Sequence, residues 1–173
     1  MESEPMMEKP VVTETINWKG TDHTLELFAT DQTPPGAISQ VQCIAFTKEG
    51  KVVLYEHAAG YIGLPGGTVE TGESVATALM REVREESASR VISYQQIAYL
   101  KDTNQDSGEV QFQTRYYAEV ELLDEQVADP DGKALERLIV EPEAVVALLG
   151  DGWGERGAVL LKLALDERNK ISS

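Results

Sequence analysis

At 173 residues and 19.0 kDa, with 42% hydrophobic residues, the chain has the length of one domain and enough apolar side chains for its own core. Its 15 Lys and Arg stand against 30 Asp and Glu, a formal net charge of −15, which argues against tracking a nucleic-acid backbone, because that needs clustered cations. No apolar run is long enough for a membrane helix, so no membrane partner is expected, and a cytoplasmic location is the default. The one cysteine, Cys43, lies in the apolar VQCIAF and reads as a buried, inert thiol.

Residues 1–10 are polar and acidic and read as a loose tail ahead of a single domain over 11–173. VVTETINW and HTLELFAT alternate polar and apolar residues around Lys19-Gly20-Thr21-Asp22, which predicts an N-terminal β-hairpin. Pro34-Pro35-Gly36 breaks the pattern as a loop. ISQVQCIAFT and KVVLYEH flank Lys48-Glu49-Gly50 as a second hairpin, and the glycine-rich stretch from Gly60 to Gly67 follows as a loop. Ser74 to Glu86 has helical propensity, with Thr71 or Ser74 as cap. VISYQQIAYL and VQFQTRYYAEVELL are predicted strands joined by KDTNQDSGE. An acidic loop, a short strand at ALERLIV, a helix started by Pro142 and an amphipathic helix from Arg156 to Arg168 complete the chain. The order predicts an α/β sandwich (α+β) with a mixed central sheet.

The helix after the glycine loop carries REVREES, three glutamates within five residues. On a wheel of about 3.6 residues per turn, Glu86 lies about 40° to one side of Glu82 and Glu85 about 60° to the other. Val75 and Leu79 share that sector, while Thr77, Arg81 and Arg84 point away. The carboxylates thus continue the apolar stripe, where they repel one another and lose hydration unless a cation intervenes. A hard divalent cation with oxygen ligands fits, and Mg²⁺, which takes few carboxylates together with water and phosphate oxygens, suits phosphate chemistry. Gly66 and Gly67 permit close backbone approach, so a main-chain carbonyl is a further candidate ligand. The competing reading is a solvated acidic helix, since glutamate is a common helix former.

The spacing decides between them. Gly67, Glu73, Arg81, Glu82, Val83, Glu85 and Glu86 resemble the Nudix box of MutT-like hydrolases, which here spans Gly67 to Ser89; Ala88 and Ser89 depart from the family's glycine and aliphatic residue. Six such identities at fixed spacing arise by chance about once in 10⁷ starting points. The resemblance implies a Nudix α/β/α sandwich and a pyrophosphohydrolase acting on a small-molecule nucleoside diphosphate linked to another moiety, with Mg²⁺ or Mn²⁺ as cofactor. It implies that Glu82, Glu85 and Glu86 are catalytic metal ligands, that the Gly66 carbonyl joins them, and that Glu73 and Arg81 form a structural pair. The general base stays open between Glu82 and an acid of a later loop: Asp106, Glu109, Glu125, Asp129 or Asp131. Tyr61 and His57, just ahead of the box, are candidates for substrate contact. The alternative is a Nudix-fold sensor that binds a nucleotide derivative without cleaving it. Marks of ADP-ribose, dinucleoside polyphosphate and coenzyme A subfamilies are missing, so the sequence leaves the substrate open, and the oligomeric state too, monomer or homodimer.

Overall fold

The structure, a computed structural model, describes residues 8–173; most of the expected tail, residues 1–7, lies outside the described residues. β1 (Val12–Trp18) and β2 (Thr21–Phe28) form the N-terminal hairpin. Its two-residue turn puts Lys19 and Gly20 at φ 52° and 86°, the left-handed pair that suits the twist of flanking strands. β3 (Ile38–Phe46) and β4 (Val52–His57) form the second hairpin. The segment expected as a glycine loop contains two short strands, β5 (Ile62–Gly63) and β6 (Gly66–Thr68), which pair with β4 and β3. Strands this short carry no readable periodicity, which is why the sequence shows only a loop.

Helix α1 (Val75–Ser87) begins at Ser74, whose hydroxyl accepts the Thr77 N–H at 3.1 Å. β7 (Ser89–Asn104) and β8 (Val110–Leu122) make the longest hairpin, and β7 runs four residues past the expected end into the polar stretch. β9 (Ala134–Val140) pairs with β4. A 3-10 turn at Pro142–Ala144 leads into α2 (Val145–Leu149), and α3 (Gly154–Ser172) closes the chain. The mixed sheet runs β1-β2-β7-β8-β3-β4-β5, with β3 parallel to β8.

Alternation along β3 explains the two cores. Val41, Cys43 and Ala45 pack with Ala78, Leu79 and Val83 of α1, while Ile44 and Phe46 pack with Leu160, Leu161 and Ala164 of α3 on the other face. The result is the expected α/β/α sandwich, with α1 alone on one face. Cys43 is 1% exposed and its thiol is pushed well above the usual range by burial, as expected of an inert cysteine. Among the described residues no helix is long and apolar enough to cross a membrane.

Candidate active site

The glycine strand β6 lies between β3 and the carboxylate face of α1, and the missing side chains of Gly66 and Gly67 open the site. At Gly66, with φ 154°, a Cβ would fall 2.2 Å from the Val41 carbonyl oxygen. At Gly67 it would fall 2.5 Å from the Glu82 carboxyl carbon, so the Glu82 carboxylate rests directly on the Gly67 backbone.

The three glutamates do occupy one half-buried sector: Glu86 is 6% exposed, and the side chains of Glu82 and Glu85 are 13% and 23% exposed. Arg81 corrects the wheel. Its Cα points away, but the long side chain folds back among the acids and uses all of its N–H donors there. Nε donates to Glu73 Oε1 at 2.8 Å, and Nη2 donates to Glu73 Oε2 at 3.1 Å and to the Thr68 carbonyl at 3.0 Å. Nη1 donates to Glu82 at 2.9 Å and to Glu85 at 3.2 Å. Glu73 also accepts the Glu70 N–H at 3.0 Å. The Arg81 bonds hold the Glu73 carboxyl below its ordinary range, and they hold the guanidinium charged. The pair ties the loop before α1 to the helix.

Glu86 is held differently. Its Oε1 accepts the Gly66 N–H at 2.8 Å, and the nearby Tyr55 hydroxyl favours its charged form. Burial nevertheless pushes its pKa up to about 7, with Glu82 and Asp129 adding to the rise against the Gly66 amide and the Tyr55 hydroxyl. Burial raises Glu82 also; Arg81 opposes the rise, and Glu85 and Asp129 support it. Tyr55 reaches the site because it shares the α1 face with Val53 on β4, and because Gly63 leaves room for its ring, 2.7 Å from a Cβ there. The sequence signal for Tyr55 is the two-residue periodicity along KVVLYEH, which puts it on the face of Val53.

Of the later-loop acids, Asp129 is the one whose charge acts on both Glu82 and Glu86. Its carboxylate also organises its own loop, accepting the N–H groups of Asp131, Lys133 and Ala134. Glu125 pairs with Arg84 at 3.4 Å, and Asp106 and Glu109 lie in the β7–β8 turn. His57 and Tyr61 stand together as a stacked pair, 4.1 Å between centroids and 15° between planes, with Tyr61 52% exposed. Burial and the Glu86 charge raise the Tyr61 pKa, so this pair borders the carboxylates. His57 Nδ1 accepts the Ala59 N–H at 2.9 Å. Trp18 is exposed, whereas Tyr99 and Tyr117 are core residues.

Among the described residues no three Asp, Glu, His or Cys side chains form a ready-made ion-binding cluster; the charge between Glu82 and Glu85 is the guanidinium of Arg81. The donor set still fits a hard divalent cation. The available donors are carboxylate oxygens, partly dehydrated, with more negative charge than Arg81 offsets, and burial raises the pKa of Glu82 and Glu86 in a way a bound cation would reverse.

The helix exit shows how the chain accommodates its departures from the box. Ala88 adopts the left-handed conformation, φ 46° and ψ 48°, that glycine takes without strain. Arg137 of β9 braces this turn, its Nη1 donating to the Ala88 carbonyl at 2.7 Å and to those of Ser87 and Leu123 at 3.3 Å. Ser89 is fully buried, and its hydroxyl donates to the Ser87 carbonyl at 3.0 Å.

The family model of the NUDIX domain matches residues 38–163. A search of curated proteins gives no match. Among solved structures, the Bacillus subtilis pyrophosphohydrolase BsRppH has a TM-score of 0.58 at 26% identity, covering 68% of this chain and 71% of that one. A NUDIX hydrolase from Nitrosomonas europaea has a TM-score of 0.58 at 18% identity, covering 78% and 90%. The NUDIX domain of Shewanella oneidensis NrtR, solved with ADP ribose, has a TM-score of 0.53 at 19% identity, covering 79% and 89%. Since the matched segment carries the glycine strand, α1 and every carboxylate around Arg81, the chain belongs to the Nudix family of hydrolases.

Proposed function

We propose that the protein is a metal-dependent pyrophosphohydrolase that cleaves the diphosphate of a nucleoside diphosphate linked to another moiety, by attack of water on phosphorus. The observation that carries the reading is the packing of Glu82 and Glu86 against the two glycines of β6. Partly dehydrated carboxylates are held there beside open backbone, where a diphosphate can approach. Mg²⁺ or Mn²⁺ would be held by Glu82, Glu85 and Glu86 with the Gly66 carbonyl, and would supply charge neutralisation and a more acidic water.

The remaining steps fall to the chain's own groups. Arg81 and Glu73 fix the loop against α1, so that Glu82 keeps its place over Gly67. Gly66 and Tyr55 aim the Glu86 carboxylate. Glu82 is a candidate acceptor for the proton of the attacking water, and Asp129 is the later-loop acid best placed electrostatically to share that role. His57 and Tyr61 offer an aromatic rim for the rest of the substrate. A sensor that binds without cleaving is the weaker reading, because the whole set of box carboxylates is present.

The test is incubation with millimolar Mg²⁺ or Mn²⁺ and a panel of nucleoside diphosphate derivatives, with product phosphate released by a phosphatase. Cleavage that stops in excess EDTA while circular dichroism stays unchanged is the expected result. Turnover undiminished by the chelator would remove the metal from the mechanism. Binding without turnover across the panel would favour the sensor.

A further inference from the structure

β3 and β8 run parallel, with Gln40 opposite Gln113 and Gln42 opposite Arg115. Every second residue of each strand faces α3, and both rows change character halfway. Gln40 and Gln42 give way to Ile44 and Phe46, while Gln113 and Arg115 give way to Tyr117. The apolar halves lie in the core under α2 and α3. The polar halves floor a cavity of about 310 Å³, with Trp18 of β1 and Trp153 and Arg156 at the start of α3 also lining it.

Arg115 is out of place in an ordinary sheet face. It is 7% exposed; Nη2 donates to Gln113 Oε1 at 2.8 Å and Nη1 to the Thr114 carbonyl at 3.3 Å, while Nε has no partner among the described residues. The carboxylates nearby are already engaged: Asp102 binds His23 Nδ1 at 2.7 Å, and Glu14 pairs with Arg156. Among the described residues Arg115 is therefore a buried cation without a counter-ion, and burial with Arg156 alongside pushes its pKa down to about 9. A second unpartnered buried atom, Gln42 Oε1, belongs to a residue of the same lining. Buried polar groups normally find partners, so a free donor and a free acceptor around one cavity point to a ligand. The cavity also adjoins the active site, because Gln42 pairs with Gly66 of the glycine strand and its Nε2 reaches the Leu64 carbonyl at 3.4 Å.

We propose that this cavity receives an anionic group of the substrate, a phosphate or carboxylate remote from the cleaved diphosphate, with Arg115 as its counter-ion and Trp18 and Trp153 flanking the moiety that bears it. The substrate then spans the sheet edge at Gly66 and Gly67, with the diphosphate on the α1 side and the second anion on the α3 side. The inference rests on the hydrolase reading for the term "substrate", but its binding test does not depend on turnover.

Binding is measured by calorimetry in EDTA for two pairs of probes that differ by one anionic group: ADP-ribose against ADP-ribose 2′-phosphate, and UDP-glucose against UDP-glucuronate. The parent protein is expected to hold the more anionic member of one pair at least ten-fold more tightly, and the pair that discriminates identifies phosphate or carboxylate as the group. Arg115→Gln should abolish the preference without melting below the parent, since it removes an uncompensated buried charge, and Arg115→Lys should keep part of it. Equal affinity of the parent for both members of both pairs overturns the proposal whatever the variants do, and so does a folded Arg115→Gln protein that discriminates like the parent. Failure of the hydrolase reading registers separately, as no cleavage of these four probes or of the wider panel of nucleoside diphosphate derivatives when Mg²⁺ is restored.

Discussion

The Gly66 N–H donates to Glu86 Oε1 at 2.8 Å, so a backbone amide of the glycine strand orients a buried carboxylate from the last turn of α1. Glu86 is thereby fixed in position but remains poorly solvated, with a pKa raised to about 7. Glu86→Gln is expected to lower turnover about 10²-fold or more, on the scale of losing one electrostatic stabiliser. The sign of the stability change depends on pH. A carboxyl whose folded pKa lies above its ordinary value contributes stability that is full below that ordinary value and is lost as pH rises through about 7. In the metal-free protein, Glu86→Gln should therefore melt higher than the parent at pH 8 and no higher at pH 5. Melting curves at the two pH values, with chelator present, check this.

Gly67→Ala places a methyl 2.5 Å from the Glu82 carboxyl carbon. The end of a side chain can move aside, so stability should fall by less than about 1 kcal/mol. A displacement of roughly 1 Å at a reacting group costs on the order of 10²-fold in rate. Parallel measurement of Tm and kcat checks the split; a variant that turns over normally would separate the Glu82 position from catalysis.

Arg81→Lys keeps a charge but cannot reproduce a fork that bonds Glu73, Glu82, Glu85 and the Thr68 carbonyl together. Activity is expected to fall at least about ten-fold, and Tm by several degrees. A lysine variant equal to the parent in both would show that charge alone holds the loop.

Arg137→Ala leaves the strained exit of α1 without its brace at the Ser87, Ala88 and Leu123 carbonyls. The loss is expected to cost about 1–3 kcal/mol. Adding Ala88→Gly should recover part of it, because glycine adopts φ 46° without strain. Denaturant unfolding of the single and double variants measures the recovery, and no recovery would place the function of Arg137 elsewhere.

The sequence made the box helix legible because its spacing is rigid: Ser74 caps it, and the wheel puts Glu82, Glu85 and Glu86 on one inward face. A wheel gives the direction of Cβ and not the reach of a long side chain, which is why it places Arg81 on the outer face while the guanidinium lies among the acids. Tyr55 and the Arg115 cavity depend on tertiary neighbours. Their local signal is only two-residue alternation, in Val53 and Tyr55 on β4 and in the rows that pass from glutamine to apolar residues on β3 and β8. Among five acids in later loops, nothing local marked Asp129; its relation to Glu82 and Glu86 exists only once β9 has paired with β4.

The parallel pairing of β3 with β8 joins residues far apart in the chain, Ile38 with Phe112 and Phe46 with Glu119, whereas the β1–β2 and β7–β8 hairpins close locally. Local closures form early, and distant parallel pairings are slow. β6 docks on β3, and α1 packs across both β3 and β8, so the Gly66 bond to Glu86 is backed by a complete core only after the slow step. Kinetically, the candidate site is then a late product of folding: a chain caught midway holds its hairpins before its carboxylate face is set, and recovery of any activity after denaturation is expected to trail recovery of secondary structure.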